Sequence, residues 1–366
     1  MLHAPTELQA IHAAFGTADA LVVRRRAVYS AILELVSGRH EGDITVDLID
    51  SPIVRAHLGE VAVDVRRYRP EALVPLSRLT SNALSFTSTA ARIAVAGDVQ
   101  ARAPLEPVVR RIESELSRNG ASATSIQLML NDDPAFNGAA RTVIDGLELA
   151  VKLCPELADD LMPHVALFTI MGTAGAEQLG SASVREYPGV IIVPQPASAI
   201  EVAEALVHEG AHQKFFDLGV TCSVFGEDFH VAPAFKSSWA PRTAPGWPLE
   251  QCVAAFHAYT CMATFFQSAG GSGIVGLTDF SLLPHAESRA LELASWLLEQ
   301  KQFLGPDGRA FVEALAAATT LGRVDECNRS MMAESAQTVV RRCCGWTLTA
   351  QMNGSIDLYW VSVDEA

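Results

Sequence analysis

Two histidines, His208 and His212, stand four positions apart in the run His-Glu-Gly-Ala-His, with Glu209 directly after the first. The surrounding residues predict a helix over residues 198–218, and residues four apart on a helix share a face about one turn apart. Two imidazoles placed in this way can bind one metal ion, and the Glu209 carboxylate can point toward a metal-bound water or a substrate. The HExxH pattern therefore predicts a metal site.

Such a site needs a third protein ligand from elsewhere in the chain. His257 lies in the apolar helical pattern of residues 248–266, where an unpaired polar group would be costly to bury. We expect His257 to be either the third ligand or a core histidine bonded to a carbonyl group. Glu250, seven residues earlier on the same predicted face, is the rival third ligand. His230 and Asp228 are weaker candidates in an irregular segment.

The secondary structure predicted around these residues changes along the chain from helices to strands. Its first part shows helical periodicity, whereas two short runs rich in β-branched residues, ahead of the HExxH helix, predict strands. Gly219 predicts the end of the HExxH helix. The predicted helices cover residues 19–37, 104–118, 140–153, 198–218 and 248–266, and the predicted strands cover residues 164–171 and 189–194.

This order of elements predicts an α+β fold that is predominantly helical. A small β-sheet should pack beside the HExxH helix, in a local arrangement like that of the zincins. We divide the chain into a mainly helical N-terminal region, residues 1–155, and an HExxH metal-binding catalytic region, residues 156–366. The two regions could also form one continuous domain.

The amino-acid composition excludes some classes of function. The 366 residues carry 27 basic and 42 acidic side chains, a formal net charge of −15, and 49% of them are hydrophobic. A chain this apolar is not intrinsically disordered, and its acidity argues against nucleic acid and an anionic membrane as partners. No signal peptide, membrane span or CxxC pair is visible among its residues. We therefore expect a cytoplasmic protein with reduced cysteines.

Four stretches of the sequence resemble a known family, the HExxH-motif peptide-modification proteins of ribosomal peptide natural-product clusters. That family looks like 2-oxoglutarate-dependent peptide β-hydroxylases. The similarity spans about residues 180–315. The stretches are residues 181–183 with 188–191, residues 204–213 around the HExxH pattern, residues 239–242 with 248–249, and residues 303–312.

The resemblance implies an enzyme that uses Fe(II), 2-oxoglutarate and O₂ to hydroxylate a side chain of a peptide, which could carry a leader sequence. His208, His212 and a third ligand would hold the iron. Arg242 would bind the distal carboxylate of 2-oxoglutarate, or it is a loop arginine that anchors a carboxylate within the fold. Glu209 would orient a ligand, bind substrate or touch the metal. The family usually shows a Gly-x-Tyr-Ala-type run where this chain has residues 256–259, Phe-His-Ala-Tyr.

Two other functions remain open. In a zinc metallopeptidase, Glu209 would be the general base for a zinc-bound water. The glutamate-ligand form of that site needs Asp four residues after Glu250, where this chain has Ala254. The longer three-histidine form needs Gly and His where Phe215 and Leu218 stand. The third possibility is a non-catalytic, metal-stabilised protein that binds a peptide.

Overall fold

The computed structural model describes residues 16–38, 44–80, 83–118, 126–172, 180–240, 245–270 and 283–318. These residues are mainly helical and include a five-stranded mixed sheet, so the α+β, predominantly helical fold class is confirmed. The helices are α1 (Ala18–Ser37), α2 (Val46–Ile49), α3 (Pro52–Val63), α4 (Leu76–Leu79), α5 (Arg102–Arg118), α6 (Phe136–Leu153), α7 (Pro155–Leu161), α8 (Ala199–Thr221), α9 (Leu249–Gly270), α10 (Leu283–Glu299) and α11 (residues 306–318). The strands are β1 (Ser85–Thr87), β2 (Arg92–Val95), β3 (Leu128–Met129), β4 (Leu167–Met171) and β5 (Val190–Pro194).

The sheet is built around β4, whose five residues are all buried. Its first half pairs in parallel with β2, its second half pairs antiparallel with β3, and its full length pairs in parallel with β5. A strand covered on both faces needs apolar residues at every position rather than at alternate ones. This requirement explains the continuous apolar runs from which both β4 and β5 were predicted, and both strands are confirmed.

Helix α8, which carries the HExxH pattern, lies at the centre of the described chain. It contacts α1, α6, α9 and strand β5, and all but one of its residues from 202 to 218 are buried. The close approach of α6 depends on Gly146, because a Cβ there would lie 2.4 Å from the Val202 Cβ. The helix continues past Gly219 to Thr221, so the predicted end at Gly219 is wrong.

Helix α1 buries only part of the apolar stripe that its sequence predicts, since Leu21 is fully buried in the core. The spacing of Leu21, Val28, Ile32 and Leu35 predicts a buried stripe, but Leu35 is 81% exposed while Arg25 is buried. The predicted stripe is therefore wrong at Leu35, because periodicity considers apolar residues alone, whereas the burial of Arg25 depends on partners far away in the sequence.

No helix in the described part of the chain is long and apolar enough to cross a membrane.

Candidate metal centre

His208, Glu209 and His212 form a compact group on α8. One possible ligand atom from each residue lies within 4.8 Å of the others, and no other such group of histidine, cysteine or acidic residues occurs among the described residues. The two imidazole rings are 4.9 Å apart and nearly perpendicular. In each of the three residues, only 4% to 7% of the surface is accessible to solvent. The group is thus nearly enclosed, and its donor set suits a divalent transition metal.

Helix α9 fixes the orientation of the His208 ring. The Nδ1 atom of His208 lies 3.0 Å from the Met262 Sδ, and the Tyr259 ring lies 6.3 Å from the imidazole ring. Since Nδ1 faces the thioether, Nε2 is the nitrogen with which His208 could bind a metal while keeping this contact.

The Glu209 carboxylate is held by two serines from the segment before β5. The Ser181 hydroxyl donates to Oε1 at 2.9 Å, and the Ser183 hydroxyl donates to Oε2 at 2.6 Å. Alternate residues of an extended segment point to the same side, which is why both serines reach one carboxylate. Both serines belong to residues 181–183, one of the stretches in which the sequence resembles the HExxH peptide-modification family.

Gln213, the residue after His212, ties the HExxH helix to the sheet. Its Oε1 accepts the Gly189 N–H at 2.5 Å, and its Nε2 donates to the Val190 carbonyl at 2.9 Å. Strand β5 in turn pairs with Ala182 through Ile192, the residue between the two serines. The helix, the strand and the serine segment therefore form a closed set of contacts around Glu209.

Gly189 is required at the start of β5 for two reasons. Its φ of +100° lies in the region that favours glycine. A Cβ at this position would also come within 2.0 Å of the Arg55 Nη2. Neither the Gln213 amide contacts nor the role of Gly189 was predicted from the sequence, since neither residue type is diagnostic by itself.

Burial keeps His212 neutral. The pKa of His212 is lowered well below its usual range, chiefly by loss of solvation and further by the nearby His208 and His257. A neutral imidazole is the form that binds a metal, so the site needs no deprotonation of His212 at neutral pH.

His257 is fully buried on α9, but it is not in the group of possible ligands. Its Nδ1 lies 3.1 Å from the Ala211 carbonyl oxygen, and its ring meets Phe311 edge-on at 5.3 Å. Loss of solvation lowers its pKa to about 3. This geometry matches the second expectation for His257, a core histidine bonded to a carbonyl group, and it gives the third-ligand prediction no support.

The other predicted site residues lie apart from the group or outside the described residues. Glu250 is buried in the first turn of α9, where its charge acts on Arg185 and Cys252. His230 and Asp228 are exposed. Arg242 lies outside the described residues.

A cation that the sequence did not indicate lies near the group. The Arg289 guanidinium sits 5.4 Å from the Trp239 ring centre and 5.3 Å from the Tyr259 ring centre. Its Nη1 donates to the Tyr259 hydroxyl at 3.0 Å. Arg289 comes from α10, whose sequence shows only amphipathic periodicity, so no motif could have identified it.

The second half of α8 carries buried ion pairs that fix the helix in the fold. The Asp217 carboxylate accepts the Arg25 Nη1 and the His164 Nδ1, both at 2.6 Å. One turn earlier, Lys214 pairs with Asp160 of α7. These contacts join α1, α7 and the segment before β4 to the helix that bears the histidines.

Comparison of the chain with protein-family models gives no match, and comparison with curated proteins gives none either.

Proposed function

We propose that the protein is an Fe(II)- and 2-oxoglutarate-dependent hydroxylase that modifies a side chain of a ribosomally made peptide. The observation that carries the proposal is the pair of nearly enclosed imidazoles, His208 and His212, beside a carboxylate whose two oxygens each accept a serine hydroxyl. A carboxylate held by a hydrogen bond at each oxygen suits a fixed metal ligand better than a base that takes a proton from a metal-bound water. The sequence resemblance supports the same choice.

The donor set is compatible with this metal. Two histidines and one carboxylate are the ligands of many non-haem iron oxygenases, although zinc accepts the same atoms. Glu209 is the carboxylate nearest to the two histidines in the described chain, so it replaces His257 and Glu250 as the first candidate for the third ligand. The zincin-like arrangement of this helix beside the sheet is part of the proposal.

When bound, the iron and 2-oxoglutarate would supply the activation of O₂. The residues of the chain have simpler tasks. Met262 keeps the His208 ring in one orientation, the two serines hold Glu209, and the low exposure of all three group members restricts water at the reacting centre. Fixed ligands and restricted water favour a single, productive placement of the substrate.

An extended peptide could bind next to Glu209. Both the N–H and the C=O of Ala182 are bonded to Ile192, so in this antiparallel pair the main-chain groups of Ser181 and Ser183 point away from β5. A peptide that adds to this edge would gain main-chain hydrogen bonds, as in strand addition generally. Its side chains would then pass beside the metal group.

The test starts with anaerobic purification and metal analysis, followed by an assay for O₂-dependent succinate formation from 2-oxoglutarate. We expect iron-dependent succinate formation that is lost in His212→Ala and retained in His285→Ala, which alters an exposed histidine on α10. Failure to turn over with iron, together with tight zinc binding and peptide cleavage, would overturn the proposal.

The alternative is a zinc metallopeptidase in which Glu209 is the general base. The observation that favours it is the position of Glu209, within 4.8 Å of the ligand atoms of both histidines. Glu209→Gln separates the two functions, because it should abolish hydrolysis while leaving the zinc bound.

The third candidate, a non-catalytic metal-stabilised peptide-binding protein, predicts that a chelator melts the fold. An enzyme should instead lose activity and keep its fold when the metal is removed. Thermal unfolding measured with and without a chelator distinguishes the two.

A further inference from the structure

A cavity with a volume of about 350 Å³ lies apart from the metal group. Its walls come from α3, from residues 67–72, from the start of α5 and from Tyr187 ahead of β5, and none of its lining residues belongs to α8. This volume is near the lower end of the range for small-molecule sites, roughly 300–1,000 Å³. The cavity can therefore hold a small ligand.

His57 supplies a hydrogen-bond donor to this cavity. Its Nε2 accepts the Arg69 main-chain N–H at 3.0 Å, and burial lowers its pKa, so the ring is neutral and its proton lies on Nδ1. The residue is only 8% exposed, and Nδ1 has no hydrogen-bond partner among the described residues. The fold therefore fixes this donor but leaves it to be satisfied from the cavity.

Two guanidinium groups line the same cavity. Arg67 and Arg69 form no ion pair with any described residue, whereas the neighbouring Arg66 pairs with Asp64 at 2.9 Å. Residues 51–118 carry ten arginines and seven acidic side chains, a net charge of +3, whereas the rest of the chain carries −18. A guanidinium binds a carboxylate through two parallel hydrogen bonds, so this wall of the cavity suits an anionic group.

Glu60 limits the charge that a ligand can carry. It lines the cavity, and its charge acts on both His57 and Tyr187. A carboxylate in this position repels a ligand with two negative charges, and it can accept an N–H from a ligand with one. Burial and the charges of Glu60 and Glu186 raise the pKa of Tyr187, so its phenol stays neutral and adds no charge.

The rest of the lining is apolar and includes Ile53, Pro104 and Pro107. We propose that the cavity binds the carboxylate end of an apolar amino acid, either free or at the C-terminus of a peptide. The ligand carboxylate meets the two guanidinium groups and the imidazole N–H, its ammonium or amide N–H meets Glu60, and its side chain packs on the prolines. This inference is independent of the proposed function, since no lining residue belongs to the metal group.

Calorimetric titration of the full chain with matched probes tests the proposal. N-acetyl-L-leucine and N-acetyl-L-leucinamide differ only in the carboxylate, as do L-leucine and L-leucinamide. In at least one pair, we expect the acid to bind roughly 10- to 100-fold more tightly than its amide, the range of hydrogen bonds to a charged group. N-acetylglycine, which lacks the apolar side chain, should bind more weakly than N-acetyl-L-leucine.

The two acids distinguish the two sources of the ligand. Tighter binding of L-leucine would indicate a free amino acid, and tighter binding of N-acetyl-L-leucine would indicate the C-terminus of a peptide. Glu60→Gln should weaken the binding of L-leucine more than that of N-acetyl-L-leucine, because only the ammonium loses a partner of opposite charge.

Variants assign the preference for a carboxylate to this cavity. Arg67→Gln combined with Arg69→Gln changes two exposed residues and should remove most of the preference. Arg66→Gln, which alters an exposed arginine paired with Asp64 outside the lining, is the matched control and should keep it. His212→Ala should also keep the preference, because the cavity does not include the metal group.

Several results would overturn the proposal. One is equal binding of each acid and its amide, and another is no saturable binding of any probe at millimolar concentrations. A preference that survives the double arginine variant would exclude this cavity, and a preference lost in His212→Ala would place the carboxylate at the metal group. Inorganic phosphate that binds as tightly as the better acid would indicate a general anion site instead.

Discussion

Helix α8 carries two groups of buried polar side chains, and the two groups differ in how their charges are balanced. In the second half, Asp217 and Lys214 each have a buried partner of opposite charge. Near the middle of the helix, His208 and His212 lie beside each other, and the nearest charge is the Glu209 carboxylate, which accepts two neutral hydroxyls.

This difference distinguishes a structural group from a candidate site. Burying a charge is tolerable when a partner and hydrogen bonds compensate for lost solvation, and the second half of α8 satisfies this condition within the protein. The group of His208, Glu209 and His212 instead brings lone-pair donors together at one point, an arrangement that a divalent cation would complete. Variants of the two groups should therefore differ in what they lose, stability in one case and metal binding in the other.

Removing the Asp217 carboxylate should cause the largest loss of stability. Asp217→Ala leaves Arg25 buried without this partner, and breaking a buried ion pair from one side costs about 3–5 kcal/mol. Denaturant unfolding measures the change, with Asp159→Ala, an exposed aspartate on α7, as the control. A decrease in the free energy of unfolding of less than about 1 kcal/mol, which is typical of surface ion pairs, would show that buried ion pairs do not stabilise the second half of α8.

Removing a histidine from the candidate metal group should affect metal binding far more than stability. His212→Ala should weaken the affinity for Fe(II) or Zn²⁺ by more than the roughly 10- to 100-fold typical of residues that only support a ligand. Calorimetric titration of the metal-free protein measures the affinity. An unchanged metal affinity would refute the proposed metal centre.

The stability should also depend on pH through Asp217. Burial by itself would raise its pKa, but Arg25, His164 and Arg55 together outweigh that effect and lower the pKa to about 2. The unfolded chain therefore binds the proton more readily, so stability rises with pH across this range. The contribution of Asp217, roughly 2 kcal/mol, should be complete above about pH 4 and be lost as the pH falls through 2. The free energy of unfolding of Asp217→Asn, measured as a function of pH, should lack this contribution.

A smaller effect is expected from the serine that holds Glu209. Ser183→Ala removes the 2.6 Å bond to Oε2, and a hydrogen bond to a charged group contributes about 1.5–3 kcal/mol. Metal affinity or turnover should fall by roughly 10-fold or more, while Ser288→Ala, on the exposed face of α10, should be neutral. Equal effects of the two variants would mean that the Ser183 contact is incidental.

The smallest effect on metal binding is expected from His257. Its Nδ1 contacts the Ala211 carbonyl oxygen and its ring packs on Phe311, so it belongs with the structural groups. His257→Ala should lower stability and change metal affinity by less than the roughly 10-fold minimum of a supporting residue. A larger loss of affinity would restore His257 as the third ligand.

Much of the site's framework could be predicted from the sequence. Strands β4 and β5 and helix α8 follow from local apolar runs and periodicity, and they lie within a few residues of the predicted bounds. Arg25 shows where this reasoning fails. The run of arginines at residues 24–26 is typical of a solvated helix face, yet Arg25 is buried against Asp217, 192 positions away.

The spacing of His208 and His212 is enough to place them on one face of a helix, because a helix repeats every few residues whatever surrounds it. Their partners depend on the tertiary structure. Ser181 and Ser183 reach Glu209 through the pairing of Ala182 with β5, and Arg289 reaches Tyr259 through the packing of α10 on α9. The physical reason is that spacing along a helix is local, whereas a contact between distant segments depends on how the whole chain packs.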